Sequence, residues 1–143
     1  MRQTLLIAEA DAELRLAYQR IFSERGYIVE TASDGLGCLE KLRRVRPSVL
    51  VLDRELHWGG GDGILAWLRE ESGASGLSVI LTSARKHAGD GADHPGPPVV
   101  KFLAKPFAPT TLLESVRAAV AGTETEVPFY LDCRNTCSEQ YLG

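Results

Sequence analysis

Cysteine is scarce in this chain, three in 143 residues, and an odd, sparse set excludes a disulfide framework. Cys133 and Cys137 have no histidine near them in sequence and read as free thiols rather than zinc ligands, while Cys38 falls in an apolar helical pattern and reads as core. Long apolar runs are missing as well. None approaches the roughly 20 residues of a membrane span, and the N-terminus lacks the basic, apolar and small-residue order of a signal peptide. Together these predict a cytoplasmic protein with no membrane partner. A large excess of one charge is also wanting: the formal net charge is −3 and the pI about 5.6, so no direct binding of nucleic acid is expected. What is present is 44% hydrophobic and 24% charged, an ordinary globular composition, and the length suits one domain. That domain is expected over residues 1–121, with 122–143 as a C-terminal tail or linker.

Five short runs have the length and residue types of strands: "TLLIA" (4–8), "YIVETA" (27–32), "SVLVLD" (48–53), "LSVILTS" (77–83) and "PVVKFLA" (98–104). Most are near-continuous in apolar residues, as strands covered on both faces are. Between them run helical stripes: Leu14, Tyr18, Ile21 and Phe22; Leu36, Leu39 and Leu42; Ile64, Leu65 and Leu68; then Leu112, Leu113, Val116 and Val120. Asp11, Asp34 and Asp62 each precede a stripe, where a carboxylate can cap the first turn; Gly26 follows the first helix and Pro109 opens the last. Alternating β and α units predict a doubly wound α/β fold, with five parallel strands and helices on both faces. The connection at 84–98, "ARKHAGDGADHPGPP", holds three glycines and three prolines and no apolar stripe, so its helix, the fourth of such a fold, should be short or irregular.

In such a sheet, ligands bind outside the carboxyl ends of the strands. Four chemically capable residues end strands here: Glu9 the first, Asp53 the third, Ser83 the fourth and Lys105 the fifth. Asp53 closes the most apolar of the runs, and a carboxylate driven to such a place needs partners.

The segments "LLIAEAD", "VLVLDRE", "VILTSA" and "FLAKPF", in that order, resemble the receiver domains of two-component response regulators over about residues 3–121. The resemblance implies a flavodoxin-like sheet of order 2-1-3-4-5. It also implies a phosphoryl group accepted on Asp53 from a histidine kinase or phosphotransfer protein, with Lys105 and Ser83 assisting and Phe102 as the aromatic of a switch shared with Ser83. A Mg²⁺ ion would be held by Glu9, Asp53 and the backbone carbonyl of Glu55. Such a domain is a signalling element rather than an enzyme, at most removing its own phosphoryl group slowly. It would act on an effector domain or protein and could form a homodimer. The chemistry is coherent in its own terms. Carboxylate and phosphoryl group are both anionic, so a cation and a positioned lysine must offset their repulsion.

The chain departs from the family in three places. Ala10 stands where the family's direct metal ligand would be, with Asp11 better explained as a helix cap. After Asp53 the loop carries His57 where a proline is usual, followed by Trp58 and "GGG", which reads as a plain turn before a helix that starts after Asp62. The third departure is the glycine- and proline-rich connection. The first and third support an alternative, a degenerate receiver that binds proteins without phosphorylation. A third reading, an aspartate-nucleophile phosphatase like the haloacid dehalogenases, wants an aspartate two residues after the nucleophile, where this chain has Glu55. The basic group Lys41, Arg43, Arg44 and Arg46 reads as a solvated helix end that complements the dipole.

Overall fold

The computed structural model describes residues 2–71, 76–85 and 96–124. Cys133, Cys137, most of the 84–98 connection and the chain after residue 124 lie outside the described residues. In chain order the elements are β1 (Thr4–Ala8), α1 (Ala12–Ser23), β2 (Ile28–Ala32), α2 (Gly35–Val45), β3 (Val49–Asp53), α3 (Gly60–Glu70), β4 (Ser78–Ser83), β5 (Val99–Ala104) and α4 (Pro109–Glu124). The five strands are all parallel in the order β2-β1-β3-β4-β5, so the doubly wound sheet is as expected. Among the described residues no helix is long and apolar enough to cross a membrane.

The apolar strands divide their side chains between two cores, because successive residues of a strand point to opposite faces. Leu6, Leu50, Leu52 and Leu81 join Cys38 and Leu42 of α2 and Ile64, Leu65 and Leu68 of α3. On the other face Leu5, Ile7, Val49, Val51 and Ile80 join Tyr18 and Phe22 of α1 and Leu112 and Val116 of α4. Cys38 is fully buried, and burial, with the Asp34 charge adding to it, pushes its thiol up to about 12. It is therefore core and chemically quiet.

Asp11 caps α1 by accepting from the N–H groups of Glu13 and Leu14, and Asp34 caps α2 by accepting from Gly37 N at 2.8 Å. Two local expectations need correction. Leu36 is not part of the buried stripe of α2: it is 61% exposed, and the buried positions are Gly35, Cys38 and Leu42. The phase is set by Gly35, whose N–H donates to the His57 carbonyl at 2.8 Å and where a Cβ would run into the Trp58 carbonyl. Nor does Asp62 cap α3. The helix starts two residues earlier, behind Gly59 in the left-handed region (φ 98°), with no side-chain cap, and Asp62 in its first turn pairs with Arg54 Nε at 3.1 Å. Glycine tolerates that backbone where an L side chain would be strained. A Cβ at Gly61 would lie 2.7 Å from Arg54 Cα, so the "GGG" turn is what lets α3 start tight against the end of β3.

Candidate functional site

The parallel register brings the strand ends level. Ala8 pairs with Leu52, Asp53 with Thr82, and Ser83 with Ala104. The ladder continues one step further: Glu9 N donates to the Ala32 carbonyl, Arg54 N to Thr82 and Lys105 N to Ser83. These bonds fix where the four strand-end side chains leave the sheet.

Asp53 and Glu9 are each 2% exposed. The Lys105 ammonium lies 2.9 Å from Glu9 Oε1, 3.1 Å from its Oε2 and 3.7 Å from Asp53 Oδ1. One cation thus faces two buried acids, and attraction at such distances is far stronger out of water than in it. Two backbone N–H groups orient the Asp53 carboxylate: Ala10 N donates to Oδ2 and Glu55 N to Oδ1, each at 3.0 Å. Glu9 accepts from Asp11 N at 3.0 Å. Burial nevertheless holds the Glu9 carboxyl above the usual range; the Asp11 N–H and Lys105 pull it down, and the Asp53 charge pushes it up. The negative field reaches Tyr18, whose phenol is pushed up to about 12, by burial first and then by Glu9, Asp53 and Asp11.

Ser83 is fully buried, and its hydroxyl donates not toward Asp53 but to Glu55 Oε2 at 2.6 Å. Ala84 N donates to Glu55 Oε1 at 2.9 Å. Phe102 is half-buried against the core on the α2 and α3 side of the sheet. Trp58 is 70% exposed, with its backbone in the left-handed region at φ 62°. Thr82, beside Asp53 in the register, has a buried hydroxyl without a hydrogen-bond partner among the described residues.

Their place at strand ends singles out Glu9, Asp53, Ser83 and Lys105 in the sequence. Three contributors carry no such signal. Arg15 Nη1 donates to the Glu9 carbonyl at 2.8 Å and so ties the loop after β1 to α1. The Ala84 N–H is invisible in a side-chain pattern. The Glu55 carboxylate leaves one sequence clue only, its place two residues after the acid, on the same rim.

Three comparisons bear on this geometry. A family model described as "Response regulator receiver domain" matches residues 5–117. The chain belongs to the response regulator receiver family. Receiver domains of this kind are signalling domains rather than classical enzymes, partnered by histidine kinases, and they generally bind Mg²⁺. Among curated relatives, "Response regulator MprA" of Mycobacterium leprae is 31% identical over 122 residues, which covers 85% of this chain and 53% of that protein. "DNA-binding response regulator MtrA" of Mycolicibacterium paratuberculosis is 26% identical, covering 94% of this chain and 64% of its own length. The chain therefore spans between half and two thirds of these relatives. MtrA is named as DNA-binding, so the expectation of no nucleic acid, drawn from net charge alone, is not supported by this relative. Among solved structures, a CheY-like receiver domain protein of Methanospirillum hungatei superposes with a TM-score of 0.79 at 20% identity, covering 89% of this chain and 100% of that one; this shows the fold.

A metal ion for this receiver would have to use the residues present. Among the described residues no three His, Cys, Asp or Glu side chains are grouped to hold one. The Glu9 and Asp53 carboxylates with the Glu55 carbonyl are hard oxygen donors of the kind Mg²⁺ takes while keeping several waters, so the donor chemistry fits, one oxygen short at Ala10.

Proposed function

We propose that this receiver is a phosphoacceptor in a two-component response regulator and that Asp53 carries the phosphoryl group. The observation that supports this best is the Lys105 ammonium 3.7 Å from a buried Asp53 carboxylate that two N–H groups hold in place. An Asp53 oxygen attacks phosphorus, the P–N bond of a phosphohistidine breaks, and the imidazole departs with that electron pair and takes up a proton. Lys105 offsets charge on the transferring group, as lysines do in phosphoryl transfer. Ser83 Oγ–H and the Ala84 N–H are the donors at the rim for its peripheral oxygens. Glu9, Asp53 and the Glu55 carbonyl would hold Mg²⁺, which when bound would supply positive charge that offsets the repulsion of the two reacting anions. A change at Ser83 then passes to Phe102 on the neighbouring strand, a two-state packing switch read by an effector domain, a partner protein or a second copy of the chain. Loss of the phosphoryl group by hydrolysis is slow and resets it.

One observation favours the degenerate receiver instead: Ala10 removes a carboxylate from the metal site, a change expected to weaken affinity by roughly 10–100-fold or more. The phosphatase reading has less behind it, since Glu55 is turned onto Ser83 and Ala84. Titrating Mg²⁺ against tryptophan fluorescence, with and without acetyl phosphate, separates the first two. A phosphoacceptor gives a saturable change that Asp53→Asn lacks. A flat response in both conditions supports the interaction module.

A further inference from the structure

The two donors expected to receive phosphoryl oxygens are already taken. The Glu55 side chain reaches from the end of β3 to the end of β4 and uses both carboxylate oxygens there, Oε2 on the Ser83 hydroxyl at 2.6 Å and Oε1 on the Ala84 N–H at 2.9 Å. The shorter contact lies in the range of a charge-assisted O–H···O⁻ bond. Ser83 has one hydroxyl proton, and Glu55 holds it; the same oxygen also accepts from Arg85 N at 3.1 Å. A hydroxyl with its only proton committed cannot also donate to a phosphoryl oxygen, and the Ala84 amide has a single proton too. Meanwhile the Glu55 backbone N–H donates to Asp53 Oδ1, so one residue orients the acceptor acid with its backbone and fills the neighbouring anion seat with its side chain.

We propose, resting on the phosphoacceptor reading, that the Glu55 carboxylate is a built-in occupant of the phosphoryl seat. It is a positioning residue that must be displaced for the phosphoryl group on Asp53 to gain Ser83 and Ala84. Two consequences follow. Phosphorylation is opposed by the two bonds it has to break and by the repulsion of a nearby carboxylate. The unphosphorylated chain also holds Ser83 inward against an anion, so phosphorylation is felt as the expulsion of Glu55 more than as a new pull on Ser83. The route out is visible. The Glu55 side chain is 29% exposed, and the exposed Arg85 guanidinium, with Nε 3.9 Å from Oε2, is there to receive it.

The test uses the full chain with Mg²⁺ and acetyl phosphate, following the initial rate of adduct formation by intact mass for the parent, Glu55→Gln and Glu55→Ala. The Ala84 amide resonance is read by ¹⁵N NMR in parallel. Glu55→Ala should accept phosphoryl roughly tenfold faster or more, the scale of lost charge-assisted hydrogen bonds, with Glu55→Gln between it and the parent. The Ala84 amide should move upfield in Glu55→Ala without donor, and in the parent it should change its bonding partner on phosphorylation. If the parent is phosphorylated on Asp53 and both variants react at its rate, the proposal is overturned while the phosphoacceptor reading stands. If no protein forms an adduct, that reading fails and competition for the seat fails with it. An Ala84 amide that keeps its parent position in Glu55→Ala overturns the occupancy itself.

Discussion

β3 and β5 each bring one charged group to the rim, Asp53 and Lys105, yet they are built differently. Every residue of β3 from Val49 to Asp53 is buried, with β1 and β4 on either side and both cores sharing its side chains. β5 lies at the sheet edge; Val99 and Leu103 are buried, whereas Val100 is 54% exposed and Lys101 and Ala104 are exposed. The acid thus stands on a fully buried strand and the amine just past an edge strand with more room. Were Asp53 the proposed nucleophile, it would gain from a fixed position, and were β5 the proposed reporting strand, it would gain from latitude to shift.

The largest effect should come from the centre. Leu50→Ala removes a fully buried side chain of β3 and should lower unfolding stability by about 2–5 kcal/mol in urea denaturation. A loss no larger than at β5 would erase the contrast.

Next comes the amine. Lys105→Met leaves Glu9 and Asp53 buried without their cation, and should lower stability at neutral pH by about 2 kcal/mol, discounted from the range for broken buried pairs because Lys105 is partly exposed. Its pH dependence sharpens the point. Glu9 is held above its ordinary value of 4.5, so between 4.5 and that raised value the folded chain binds more protons than the unfolded one. Its contribution to stability is therefore greatest below pH 4.5 and is lost as pH rises through the folded value. Lys105 pulls Glu9 down; without it the decline should extend to higher pH, as urea midpoints across pH in chelated buffer would record. An unchanged profile would mean that Lys105 and Glu9 are not coupled.

A comparable effect is expected behind β3. Gly61→Ala would place a Cβ 2.7 Å from Arg54 Cα and 3.1 Å from the Asp53 carbonyl, and should destabilise by about 1–3 kcal/mol through overpacking. The smallest belongs to the open face of β5, where Val100→Thr should change stability by less than about 0.5 kcal/mol.

Much of this was legible because period and burial are local in the sequence. "VLVLD" is unbroken since β3 serves two cores, and "PVVKFLA" is mixed since β5 serves them less fully. The strand ends then named Glu9, Asp53, Ser83 and Lys105 together. What escaped depends on backbone detail that no period encodes. The early start of α3 follows from Gly59 at φ 98°, and the exposure of Leu36 follows from Gly35 packing on the Trp58 carbonyl. Glu55 meets Ser83 across 28 residues of sequence, because the pairing of Asp53 with Thr82 brings the ends of β3 and β4 together.

Whether Asp53 accepts a phosphoryl group is read from the intact mass of the full chain after Mg²⁺ and acetyl phosphate, for the parent and Asp53→Asn side by side. One phosphoryl adduct is expected on the parent and none on Asp53→Asn. An unmodified parent, or an equal adduct on both proteins, would contradict the proposed role of Asp53.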